Sequence, residues 1–250
     1  MTPRADYNGP MAAAYDRGRT LPIDGLEAWR TAIRSHVRDG DRVLDLGSGT
    51  GRWAEVFAQW FDVDIVGVEP AAGMRREAKC KNRPLRVVYV GGDGQCIPLR
   101  TESCDAAWMS NVIHHVDDLA ACAGELRRVL RPGGPVLIRS AFPGRLDGIS
   151  LFRWFPGARA VAETFPSVEA TLAAFAAAGF TQHSLSELSQ VSAPSLRAAC
   201  ERVRLRADTT LAALSDDEFA AGLCKMEAAA IDANAAPIVD HLDLLVVWQR

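Results

Sequence analysis

The sequence predicts an α/β fold: a doubly wound, mostly parallel seven-stranded sheet with an N-terminal lid and a helical cap inserted before the last strand. Three observations carry that expectation. Residues 43–46 make a short apolar run of the kind that suits a strand buried on both faces. Gly47, Gly49 and Gly51 follow on alternate positions and lead into Trp53, Val56, Phe57 and Trp60, which recur at helical spacing. Further along, short apolar runs alternate with helical patterns, and residues 191–237, before the final apolar run, again read as helical.

A chain of 250 residues can bury a full core in one domain. Within it, residues 1–40 read as a lid and a helix, 41–142 as a ligand-binding core, and 143–167 with 191–237 as cap segments. The net charge of −3 offers no general electrostatic case for a nucleic-acid or membrane partner. No apolar run reaches membrane-spanning length, and Met1–Tyr15 lacks the apolar core of a signal peptide, so the expected location is cytoplasmic. Cys80, Cys96, Cys104, Cys122, Cys200 and Cys224 show neither CxxC nor zinc spacing and read as small hydrophobes in a reducing compartment. Arginine outnumbers lysine and alanine is abundant, compositional marks of a GC-rich, bacterial coding sequence.

A strand that runs through glycines into a helix presents bare N–H groups at the helix N-terminus, where a ligand can approach the main chain. In a dinucleotide fingerprint the third glycine lies three residues beyond the second. Here it lies two beyond, and Asp45 precedes the first. An acid at that point repels a pyrophosphate and suits a cationic or amino-bearing ligand. The stretch D-L-G-S-G-T-G resembles the first motif of the class I, Rossmann-like S-adenosyl-L-methionine (SAM)-dependent methyltransferases, of the small-molecule ubiquinone/menaquinone type. The resemblance runs from Val43 to Ser140, with four motifs in order. It implies that residues 41–142 bind SAM, with Asp45, Gly47, Gly49 and Gly51 at the cofactor.

Taken in order, residues 1–20 read as an irregular or partly helical arm. The resemblance implies an aromatic-bearing lid over the cofactor, with Tyr15 and Arg19 as its contacts; the alternative is a loosely packed surface arm. Ile23, Leu26, Trp29, Ile33 and Val37 then follow helical spacing up to Asp39-Gly40-Asp41. A second strand, 64–68, ends at Glu69, about where nucleotide folds place a ribose-binding acid; the alternative is a solvated strand end. A helix is expected over 71–81 and a third strand over 85–90. In the G-G-D-G-Q-C-I-P-L loop that follows, the resemblance implies adenine contacts from Asp93, Gly94 and Gln95.

The fourth strand, 104–110, leads to Asn111-Val112-Ile113-His114-His115. The resemblance puts Asn111 near the methionine half of SAM. His114 and His115 are candidates for a catalytic base or for orienting the substrate, because imidazole titrates near neutrality. An Asn-His-His set suits a hard cation poorly, so no metal is expected. A helix over 119–130, the Pro-Gly-Gly stop and a fifth strand over 136–140 follow.

Phe142, Phe152, Trp154 and Phe155 form an aromatic group expected to border an apolar acceptor pocket, with packing beneath the lid as the alternative. A helix over 168–178 and strands over 180–190 and 241–248 complete the sheet, with helices over 195–207 and 215–231 between the last two. That insertion is read as shaping the substrate pocket or a homodimer interface. Its Arg197, Arg202, Arg204 and Arg206 read as a solvated basic face. The functional expectation is in-line transfer of the SAM methyl to a small-molecule oxygen, nitrogen or carbon acceptor. The alternative is a SAM-binding protein without methyl transfer, pericyclase-like or regulatory. An NAD oxidoreductase conflicts with the glycine spacing and Asp45.

Overall fold

β1 (Arg42–Leu46) runs at the centre of a seven-stranded sheet, with four of its five residues buried. The computed structural model describes residues 7–19, 21–81, 86–233 and 236–250. The apolar run that marked β1 is that of a strand covered on both faces. Strands β2 (Asp64–Glu69), β3 (Val87–Gly91), β4 (Ala106–Ser110), β5 (Pro135–Ser140), β6 (Phe180–Ala193) and β7 (Ile238–Gln249) complete the order β3-β2-β1-β4-β5-β7-β6. β1 to β5 pair in parallel, whereas β7 pairs antiparallel with both β5 and β6. The fold is the α/β arrangement expected from the sequence. Of the expected third strand, Leu85 lies outside the described residues, and pairing begins at Val87.

Helices cover both faces. α2 (Glu27–Arg34) and α3 (Arg52–Trp60) bury Trp29, Ile33 and Phe57 against Trp108, Leu137 and Val246. α4 (Ala72–Cys80) packs beside β3 and adds Ala78 to that core. On the other face, α5 (Leu119–Val129) and α7 (Val168–Ala177) bury Leu126, Val129 and Phe175 with Phe142 and Phe180. The helix expected over 23–37 is shorter: Ile23–Leu26 forms a 3-10 turn before α2 starts at Glu27.

The cap has its own core. A 3-10 turn at Ser150–Arg153, α6 (Pro156–Ala162), α8 (Leu196–Val203), α9 (Thr209–Ala212) and α10 (Asp216–Asp232) enclose Phe152, Phe155, Leu211, Leu214 and Met226. Ser215 and Glu218 start α10 with a reciprocal capping box. α1 (Pro10–Arg19) contacts both α4 and α8, and so bridges from the sheet's helical layer to the cap. No helix among the described residues is long and apolar enough to cross a membrane.

Candidate active site

A cavity of about 230 Å³ lies at the C-terminal edge of the sheet, between α1, the turn after β1 and the cap. The three glycines of that turn all have positive φ, 71° at Gly47, 55° at Gly49 and 78° at Gly51, but for different surroundings. A Cβ at Gly47 would strike Val112, and one at Gly51 would strike the Tyr89 hydroxyl. At Gly49 a Cβ would meet nothing within 4 Å, and this glycine lines the cavity. Two glycines therefore serve protein packing. The middle one leaves open space for a ligand.

Behind the turn stand two acids. Asp45 is 4% exposed, accepts the Ala54 N–H, and leaves its Oδ2 without a hydrogen-bond partner. Burial and the nearby Glu69 charge push its pKa up to about 7. A buried acid with one unsatisfied oxygen beside an open turn suits a cationic, amino-bearing group. Glu69 is buried at the end of β2. Its Oε2 accepts Gly49 N–H at 3.0 Å and its Oε1 accepts Ala71 N–H at 2.8 Å. Each oxygen keeps a further lone pair for a ligand.

α1 closes over this turn. Asp16 accepts from the Thr50 hydroxyl and pairs with Lys81, whose Nζ also donates to Thr50 O at 2.8 Å. Arg19 pairs with Asp208 of the cap, which holds its guanidinium pKa above the usual arginine value despite burial. Gly73 N–H donates to Asn8 Oδ1 at 3.1 Å, anchoring the segment just before α1 to α4.

A family model described as a methyltransferase domain matches residues 44–138, the span that builds β1 to β5 and the glycine turn. Residues 44–138 are thus similar to a methyltransferase domain. The demethylmenaquinone methyltransferase of Roseiflexus castenholzii is 36% identical over 130 residues, 50% of this chain and 55% of that protein. That of Corynebacterium kroppenstedtii is 32% identical over 127 residues, 50% of this chain and 53% of that protein. The match thus spans about half the length of these relatives. A putative methyltransferase from an antibiotic biosynthesis pathway of Anabaena variabilis superposes with a TM-score of 0.71 at 19% identity, covering 92% of this chain and 98% of that one. The [4+2]-cyclase SpnF superposes with a TM-score of 0.63 at 20% identity, covering 93% and 83%. These two likenesses speak for the fold.

Between the matched span and the cap, Tyr15, Arg19, Asp45, Gly47, Gly49, Asn111, His114, His115 and Phe152 all border this cavity. Gly51, Glu69, Asp93, Gly94 and Gln95 do not line it. Asp93 accepts Gln95 and Cys96 N–H groups at 2.9 and 3.0 Å, an Asx turn that shapes the loop expected to meet adenine. Asn111 follows β4 at φ 52°, a left-handed conformation uncommon outside glycine and enriched at functional sites. With its amide oxygen turned to the donors, it accepts from Arg139 Nη1 at 2.8 Å and Arg19 Nη2 at 3.0 Å.

The two histidines separate. His114 stacks on Phe165 at 4.1 Å and 5°, and burial followed by the His115 charge pulls its pKa down to about 3. A neutral, weakly basic ring is a wall residue. His115 lies 3.4 Å from both the Tyr7 hydroxyl and Thr209 Oγ1, which bond each other at 3.0 Å. Burial pushes Tyr7 up to about 12, so its phenol stays protonated.

The aromatic expectation needs correction. Phe142 is buried in the core beneath β5, and Phe155 packs within the cap against Phe219 and Gly222. Trp154 packs on the cap core with Arg153 over its ring. None of the three borders the cavity; of the four, Phe152 does. The basic face holds in part, with Arg197 and Arg204 exposed. Arg204 pairs with Glu227 at 2.8 Å and Arg206 with Asp216 at 2.6 Å, whereas Arg202 lines the cavity. Sequence reasoning missed Arg139, Gln190, Arg202 and Asp240 as cavity residues. One signal was available: Arg139 sits in a β5 stretch whose six residues are all buried. A charge in such a strand needs a reason.

Proposed function

We propose that this chain transfers a methyl group from SAM to a small-molecule acceptor. The observation that carries the reading is the open turn at Gly49 beside the unsatisfied Asp45 Oδ2, within a matched methyltransferase domain. These residues fit the cofactor. Asp45 would accept from the amino group, the 47–51 turn would admit the backbone approach, and Glu69 would accept from the ribose. Asp93, Gly94 and Gln95 would flank the adenine, while Asn111, Tyr15 and Arg19 would enclose the methionine end. SAM supplies an already activated methyl group when bound. The chain's task is then to exclude water, through α1 and the cap, and to hold a nucleophile about 3–3.5 Å from the reacting carbon.

Of the two histidines, His115 is the one suited to take or relay a proton, since His114 is held neutral. Tyr7 and Thr209 fix the His115 ring, which orients its Nε2. The six cysteines are unpaired, in keeping with a reducing, cytoplasmic setting.

Calorimetry with SAM, its demethylated product S-adenosylhomocysteine (SAH) and NAD tests this reading. SAM and SAH are expected to bind and NAD not to. Glu69→Ala should weaken SAM binding by about 1.5–3 kcal/mol, the loss of hydrogen bonds to a charged acceptor. Unchanged affinity in that variant would remove Glu69 from the site. SAM binding without turnover of any acceptor would favour a role other than methyl transfer.

A further inference from the structure

We propose that the acceptor is an anion, and that Arg139 on β5 and Arg202 on α8 together receive its carboxylate or phosphate group. The inference rests on the methyltransferase reading for the occupant of the other half of the cavity.

Both arginines line the cavity. Arg139 is 3% exposed, and its guanidinium carbon lies 5.0 and 5.4 Å from the ring centroids of Trp29 and Trp53. Its Nη2 donates to Gln190 Oε1 at 2.6 Å and its Nη1 to Ser110 Oγ at 3.1 Å, so neutral groups hold it in place. Its Nε has no partner. Arg202 leaves both Nε and Nη1 buried without a partner. Among the described residues neither guanidinium pairs with a carboxylate, whereas Arg19 has Asp208 and Lys81 has Asp16. The acid whose field reaches both is Asp240. Its Oδ1 accepts the Ser150 N–H at 2.8 Å, and it forms an ion pair with neither arginine.

Two desolvated guanidiniums with three nitrogens unpaired by the protein are costly, and an oxyanion satisfies them at once. Arginine's planar fork suits carboxylate and phosphate geometry. Burial and the Arg19 charge draw Arg139 down only to about 9, so it remains a cation at neutral pH. The pair adjoins the proposed methionine end of the cofactor, where Asn111 accepts from Arg139 Nη1, and extends from there away from the glycine turn. The sheet order runs β3-β2-β1-β4-β5-β7-β6, with the glycine turn after β1 and Glu69 at the end of β2. Arg139, Gln190 and Asp240 stand on β5, β6 and β7, and Arg202 on the cap side of them. Ile149, Leu151, Phe152, Phe165 and Met226 line the same cavity, giving the acid's carbon body an apolar wall. The expected acceptor class is an amphiphilic acid. The apolar acceptor pocket expected from the sequence would then hold the acid's carbon body, with the two arginines at its charged end.

The test titrates SAH-saturated protein with benzoate, phenyl phosphate and benzamide, which share a ring and differ in charge. Benzoate or phenyl phosphate should bind at least about tenfold tighter than benzamide, and which of the two wins assigns the headgroup. Arg202→Gln should shrink that preference to about threefold or less while SAH affinity stays within about threefold. Equal binding of all three probes to the wild-type protein overturns the proposal. So does an Arg202→Gln variant that loses SAH affinity as strongly as anion affinity, because the arginines would then hold the cofactor's own carboxylate. Absence of SAH binding in the wild-type protein overturns the methyltransferase reading instead, and the same three titrations without SAH then judge the anion site by itself.

Discussion

At Gly49 the chain combines a φ of 55° with open space where a side chain would stand, so a substitution there acts on the ligand before it acts on the fold. Gly49→Val is expected to lose SAM binding while remaining folded, at a strain cost of about 1–3 kcal/mol. Circular dichroism with calorimetry checks both halves, and a valine variant with normal SAM affinity would remove the turn from the cofactor site. Asp45 makes a pH prediction. Its pKa in the unliganded fold, about 7, exceeds the ordinary 3.8, so the stability it contributes is present below pH 3.8 and lost as pH rises through about 7. A bound amino cation favours the ionised form, so SAM binding should release a proton near neutrality. Asp45→Asn removes that release and keeps the cofactor's own titration. Calorimetry in two buffers of different ionisation enthalpy reads the difference, and equal proton release in both proteins would sink the assignment.

The elements of the cap make predictions of a different kind, because most of their aromatics pack among themselves. Phe152 borders the cavity, whereas Trp154 packs on the cap core. Phe152→Ala should therefore impair acceptor turnover more than Trp154→Ala does, and the reverse ranking would restore the sequence-based pocket. In α10, a Cβ at Gly222 would run into the Phe155 ring and approach Trp154 O at 2.9 Å. Gly222→Val should destabilise the protein by about 1–3 kcal/mol through overpacking. A melting curve unchanged by that substitution would mean that the cap core yields without cost.

At the scale of the whole molecule, the buried His114 opposes Asp45. Its folded pKa of about 3 lies below the ordinary 6.5, so its contribution is present above pH 6.5 and is lost as pH falls toward 3. Replacing it with phenylalanine should flatten the acid limb of the stability profile, as read by urea melts from pH 4 to 7. A variant with the same acid limb as the wild type would show that His114 is not buried in its neutral form. The lid is tied to the sheet's helical layer, with Ala12 and Tyr15 of α1 packed with Ala71 and Met74 and Asp16 joined to Thr50 and Lys81.

What the linear sequence determined is the local chemistry of one span. The buried run, the alternating glycines and the Pro-Gly-Gly stop each act within a few residues. Turn geometry and apolar periodicity therefore sufficed to locate β1, α3, α5 and β5 and to single out Asp45, whereas Glu69 came from its interval after the glycines and Asn111 from the family resemblance. The seven strands were legible as well, but their order was not, because pairing is a property of separated segments. Burial and ion pairing were decided only in three dimensions. Arg202 looked like one of four solvated arginines until the cap's packing turned it to the cavity and left its neighbours to Glu227 and Asp216. Phe142 and Phe155 looked like pocket walls until the sheet and α10 covered them. His114 and His115 are adjacent in sequence, yet one is stacked on Phe165 from the cap and the other is held by Tyr7 and Thr209, 108 and 94 positions away. The charge state of a side chain follows from what surrounds it, and for these residues the surroundings come from distant parts of the chain.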